Sequence, residues 1–207
     1  YCTDSSYVAG IEHAEEFFQR VWVEMNRRIA DPRKPRIVFL ADGANWIWER
    51  VADLTNDSSV LILDFYHACE HLSALCKELY GELTEQYWQQ FNAWREAFLQ
   101  GKVVQVIGEL KQLRAKYKGQ KRHMLQGEIN YFLDNKDRMH YDRYRAMQLP
   151  IGSGTVESGC KNVIGGRMKQ GGMTWSESGA DGMLQIRTSL ASHRFLQDFR
   201  ETLRRAA

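Results

Sequence analysis

Apolar and polar positions follow two different periods along the chain. Between residues 12 and 29, Ala14, Phe17, Phe18, Val21, Trp22, Met25 and Ile29 recur every three or four positions, which predicts an amphipathic helix. Pro32 and Pro35 then disfavour helix on both sides of the DPRKP segment, 31–35. The run RIVFLA, 36–41, is apolar, rich in β-branched and aromatic residues, and bounded by Pro35 and Asp42-Gly43, so it predicts a buried strand ending in a turn. A second helix is expected over 46–54 and a loop over 56–59. The run VLIL, 60–63, predicts a second buried strand closed by Asp64. Two short apolar strands separated by a helix read as a crossover unit with parallel pairing.

From residue 67 to about 144 the pattern is helical, punctuated by Gly81, Gly101 and Gly119. A helical stretch of this length after two strands reads as an inserted subdomain. The text then changes. Gly152, Gly154, Gly159, Gly165, Gly166, Gly171 and Gly172 crowd into 150–173, so backbone there approaches something closely. A last helix is expected over 177–199, with Ala180, Met183, Leu184, Ile186, Leu190 and Phe195 on its apolar positions. The division that follows is 1–68, the first part of an α/β core; 69–148, a helical insertion; and 149–207, the last part of the core.

Composition narrows the function classes. With 207 residues, 43% hydrophobic and 26% charged, the chain can bury a core without disulfides or a structural metal. Its longest apolar runs, 37–41 and 60–63, fall far short of the roughly 18–20 residues of a membrane span. A net charge of +2 is unlike that of a histone-like binder. Cys2, Cys69, Cys76 and Cys160, in a chain with no visible secretory signal, read as reduced thiols in the cytoplasm. The start, YCTDSSYVAG, has no initiator Met and reads as the beginning of a fragment.

Three constellations could carry chemistry. Asp42 and Asp64 each follow an expected parallel strand, where open α/β sheets place their sites, and with Glu157 they could hold hard divalent cations. Ordinary turn and cap preferences offer a second reading: Asp42-Gly43 as a turn, Asp64 as a helix cap. Helical spacing puts Val156, Cys160, Val163 and Ile164 on one face, with Cys160 buried, and Glu157 with Lys161 on another. The second constellation is His67 and His71, spaced i, i+4 beside Cys69 and Cys76, which can hold zinc; the missing second ligand pair argues against it. The third is basic. Lys161, Arg167 and Lys169 lie among glycines beside Glu157, followed by Arg187, Arg194, Arg200, Arg204 and Arg205, and such residues hold nucleic-acid phosphates. The separate run 111–122 reads as a solvated helix face.

At these residues the sequence resembles the insertion-sequence transposases of the ISKra family, DDE enzymes with an RNase H-like fold, distantly similar to Mutator-type transposases. The matching stretches are SSYVAGIEHAEEF (5–17), FLADGANWIWERV (39–51), ILDFYHACEHL (62–72), the block from Tyr131 to Tyr141, and IGSGTVESGCKNVIGGRMKQGGMTWSESGADGMLQIR (151–187). The resemblance implies an RNase H-like core with a large helical insertion. It makes Asp42, in a strand-end Asp-Gly motif, and Glu157 two thirds of a catalytic triad that holds Mg²⁺ or Mn²⁺, with Asp64 and His67 as an accessory pair. A triad of Asp42, Asp64 and Glu157 is the competing assignment. The family's first catalytic Asp lies upstream of SSYVAG, so the chain reads as the C-terminal part of a transposase, N-terminally truncated. The implied activity is metal-dependent phosphodiester cleavage and strand transfer. Its implied partners are DNA, both transposon ends and target, and further copies of the chain in a homo-oligomer. Lys161, Arg167 and Lys169 would hold the DNA backbone. Trp175, Trp46 or Trp48 would stack on an unpaired base, although each tryptophan also reads as core.

Overall fold

The computed structural model describes residues 4–29, 37–55 and 58–206. In chain order the elements are α1 (Ala14–Arg28), β1 (Val38–Ala41), α2 (Asn45–Ala52), β2 (Val60–Leu63), α3 (Phe65–Tyr80), α4 (Glu85–Leu99), α5 (Val103–Lys116) and α6 (Gly119–Asn135). There follow α7 (Tyr141–Ala146), α8 (Gly154–Gly159), a π-helical turn (Cys160–Gly165), α9 (Gly166–Met168), α10 (Glu177–Ala191) and α11 (Phe195–Ala206). The chain is thus mostly helical with a small two-stranded parallel sheet, an α/β arrangement. Arg36, the DPRKP segment, Asn56, Asp57 and Cys2 lie outside the described residues, as does the side chain of Arg205.

Two compact units divide the chain, one drawn from Tyr1–Pro35 and Gly154–Ala207, the other spanning Arg36–Ser153. This grouping joins the strands to the helices that follow them, whereas the boundaries expected after residues 68 and 148 separate the two.

In the unit spanning Arg36–Ser153, β1 and β2 pair in parallel with Val38 opposite Val60 and Ala41 opposite Leu63. The ladder is closed beyond both ends, where Val60 N–H donates to Ile37 O at 2.9 Å and Asp64 N–H to Ala41 O at 2.8 Å. Continued by one residue, this register sets Asp42 beside Asp64. Ile62 and Leu63 are wholly buried, which is why β2 reads as an unbroken apolar run.

The helices of this unit pack around Leu72, Leu75, Cys76, Trp94, Phe98, Leu110, Leu125, Ile129 and Phe132, all buried. Phe98 and Phe132 meet edge to face at 5.2 Å, and Trp94 Nε1 donates to Glu109 Oε2 at 2.7 Å, so the indole is buried without losing its hydrogen bond. Gly101 separates α4 from α5 with a φ of 71°, and a Cβ there would meet the Asp142 carboxylate at 2.4 Å. Both the left-handed backbone and the close approach require glycine.

In the other unit, the last helix expected from sequence is two helices. α10 stops at Ala191, and His193, with a φ of 57°, sends the chain into α11. His193 N–H donates to Leu190 O at 3.0 Å and Arg194 N–H to Ser189 O at 2.9 Å, so the terminal carbonyls of α10 are satisfied by the chain's own reversal. No Gly or Pro marks this break. The phase of the Glu157 region differs as well. The π turn widens the helix, bringing Val163 inward while leaving Val156 60% exposed, and Cys160, expected in the core, is exposed. Arg187 ties this turn down through its Nε to Val163 O and its Nη2 to Asn162 O at 2.8 Å. Arg194 is similarly engaged by the buried carboxylate of Glu24. Both guanidiniums are thus held in part by acceptors within the protein.

Truncation of Phe98 to Ala is expected to destabilise the protein by about 3–5 kcal/mol, because its ring fills the interior between α4 and α6. Urea unfolding of wild type and variant measures this directly.

Candidate functional site

The strand ends of the unit spanning Arg36–Ser153 carry two aspartates in contrasting situations. Asp64 ends β2 and caps α3: its Oδ1 accepts Tyr66 N–H at 2.7 Å and His67 N–H at 3.1 Å. Its Oδ2 accepts Ser153 N–H at 2.7 Å, and the carboxylate is only 3% exposed. Nearby, Phe65 N–H donates to Ile151 O at 2.8 Å, so the segment leading to Ser153 is joined to the start of α3 by two bonds. Both oxygens of Asp64 are committed to backbone, which is the cap reading of this residue rather than a ligand's geometry. Asp42 is exposed. Its Oδ1 accepts Ala44 N–H at 3.0 Å in a tight turn, and its other oxygen accepts nothing among the described residues.

Behind Asp42 lies a group that sequence reading passes over. Tyr131 of α6 sits against Gly43, and its hydroxyl is buried without a hydrogen-bond partner among the described residues. His71 of α3 stacks on the Tyr131 ring at 3.8 Å, and its Nδ1 lies 2.8 Å from Glu128 Oε2. Burial pushes the Tyr131 hydroxyl well above its ordinary pKa, and the carboxylates of Asp42, Glu128, Asp64 and Glu70 push it further, so it stays protonated. In the sequence His71 stood out only through its i, i+4 spacing from His67, and the Asp-Gly pair only as a turn whose glycine leaves room for a ring. The Tyr131–Tyr141 block was visible without a role, and Glu128 left no local pattern at all.

The helix that begins at Asp64 carries the zinc candidates, and among the described residues they do not converge as a ligand set. His67 Nδ1 lies 3.2 Å from Glu70 Oε2, while His71 is held by Glu128. Cys69 and Cys76 are buried, and burial raises each thiol from an ordinary 9.0 to about 12. The described residues contain no group of three or more His, Cys, Asp or Glu placed to hold a metal. By donor chemistry alone, Asp42 suits a hard cation better than Asp64, which is buried and whose two oxygens already accept three backbone N–H groups, leaving at most one lone-pair site.

In the other unit, Glu157 is exposed on α8, and Lys161, Arg167 and Lys169 are exposed along the π turn and just past it. None of the four side chains makes a hydrogen bond or ion pair among the described residues, so all four can meet a ligand. Trp175 is half-buried and its Nε1 donates to Met168 O at 3.3 Å, folding the indole onto its own loop. In the strand-bearing unit Trp48 is core, with the Arg138 guanidinium 4.4 Å over its ring, while Trp46 is 48% exposed on α2. Among the described residues no helix is long and apolar enough to cross a membrane.

No family model, no curated protein and no solved structure matches the chain.

The thiols give a direct check on these surroundings. At pH 8 Cys160 is expected to react readily with iodoacetamide, while Cys69 and Cys76, with about 10³-fold less thiolate than at the ordinary value, stay unmodified until urea is added; peptide mass mapping reads this out. Because both folded thiols titrate above the unfolded value, their contribution to stability is present below pH 9.0 and is lost as pH rises toward about 12.

Proposed function

We propose that the chain is the catalytic region of a DDE-type DNA transposase, an RNase H-like core with a helical insertion that acts on phosphodiester bonds at insertion-sequence ends. The observation that carries the reading is Asp42: an exposed carboxylate with one oxygen uncommitted among the described residues, immediately after one strand of a parallel pair. The ordered stretches that resemble ISKra-type enzymes support it. Asp42 and Glu157 supply the carboxylates for Mg²⁺ or Mn²⁺, which when bound activates the attacking water or 3′-hydroxyl and stabilises the leaving oxygen. Of the two triads that include Asp42, the one without Asp64 is preferred, because the Asp64 carboxylate is consumed by backbone. Asp64 then acts indirectly, by fixing the start of α3 and with it His67. Lys161, Arg167 and Lys169 hold the phosphate backbone as exposed charges whose side chains have no partners among the described residues. A homo-oligomer that pairs two DNA ends belongs to the same reading.

The purified chain is expected to bind linear duplex DNA carrying terminal inverted repeats, with affinity falling steeply as salt rises. Each of Lys161→Ala, Arg167→Ala and Lys169→Ala is expected to lower the slope of log affinity against log salt by about one. Gel-shift titration from 50 to 200 mM salt measures the slopes. Absence of binding at 50 mM salt contradicts the proposal, as does any metal-dependent nicking that survives Asp42→Asn.

A further inference from the structure

Tyr131, His71 and Glu128 have no task in the reading above, yet they form a continuous line of contact that ends at Asp42. The phenol end of Tyr131 lies so close to Gly43 that a Cβ there would sit 2.4 Å from Cε2 and 2.5 Å from the hydroxyl oxygen. The His71 ring stacks on the phenol with centroids 3.8 Å apart and planes within 14°. Glu128 precedes Tyr131 by one helical turn on α6 and takes His71 Nδ1 at 2.8 Å. Glu128 thus orients the imidazole, the imidazole fixes the plane of the phenol, and the phenol bears on the backbone of the residue covalently joined to Asp42.

Two further features show what this line does. The Tyr131 hydroxyl is buried without a hydrogen-bond partner among the described residues, so it and the ring edge meet Gly43 by packing alone. The hydroxyl also stays protonated, so the support adds no negative charge beside the carboxylate it serves. A wet, exposed turn such as Asp42-Gly43 would otherwise be free to shift, and misplacement of a ligating group by even an ångström is costly to binding and catalysis.

The geometry points to Tyr131 and His71, oriented by Glu128, as positioning residues that hold the Asp42-Gly43 turn so that the Asp42 carboxylate is aimed for a divalent cation. The cation part rests on the reading of Asp42 given above; the support of the turn does not.

The test uses the full ¹⁵N-labelled chain, Mn²⁺ alone as probe, and two readouts at the Gly43 amide: its resonance position and its paramagnetic broadening. Tyr131→Phe keeps the ring and is expected to match wild type, with half-broadening within about twofold of the same Mn²⁺ concentration, whereas Tyr131→Ala is expected to move the amide and raise that concentration about tenfold or more. Glu128→Gln, which weakens the hold on His71, is expected to fall between them. Tyr131→Leu retains apolar bulk without the flat stacked face and replaces the alanine variant if that variant unfolds. An unmoved Gly43 amide in Tyr131→Ala or Tyr131→Leu overturns the proposal, as does an amide displaced equally by Tyr131→Phe. Asp42→Asn separates this from the functional reading. If it broadens like wild type, Asp42 is not a cation ligand and the cation part falls, while the amide positions still decide whether the ring holds the turn.

Discussion

The carboxylate of Asp64 is the contact on which the strand-bearing unit depends. It is nearly inaccessible to water and accepts three backbone N–H groups, two opening α3 and one from Ser153. A charged acceptor in such a place is tolerated only because every one of those bonds is made. Through it the end of β2, the first turn of α3 and the segment before α8 are fixed to one another. The direction in which α3 leaves the sheet follows, and with it the placement of His67 and His71.

Asp42 shows what the same residue type does one strand away. The register that makes the two aspartates neighbours also separates their fates, because β2 is the more deeply buried strand and β1 the more exposed. Burial forces Asp64 to use its oxygens on the protein itself; exposure leaves Asp42 with one to spare. The division accounts for the surrounding ring cluster too. His71 has a carboxylate partner in Glu128 and a flat neighbour in Tyr131, and both make it part of a support.

Much of this was legible in the chain. The second strand has the bounds that its apolar run predicts, the first begins within the expected run, and their parallel pairing followed from a helix-length separation. Asp64 was readable as a helix cap, since a strand-end Asp before an apolar helical pattern is a common capping signal. Other features had no local signature. The break at His193 uses a left-handed non-glycine residue, which propensity does not flag, and the π turn shifts the side-chain phase that exposes Cys160. The internal acceptors of Arg187 and Arg194, carbonyls of the π turn and the Glu24 carboxylate, left no signature because they lie far away in sequence. Contact between Gly43 and Tyr131 likewise arises only when α6 returns to the sheet.

The contrast between the two aspartates is the central claim, and equilibrium unfolding of Asp64→Ala and Asp42→Ala, each compared with wild type, tests it most directly. Loss of the buried triple acceptor is expected to cost about 2–4 kcal/mol, whereas loss of the exposed turn residue should cost no more than about 0.5 kcal/mol. Equal destabilisation by the two substitutions, or a larger loss at Asp42, would contradict the account.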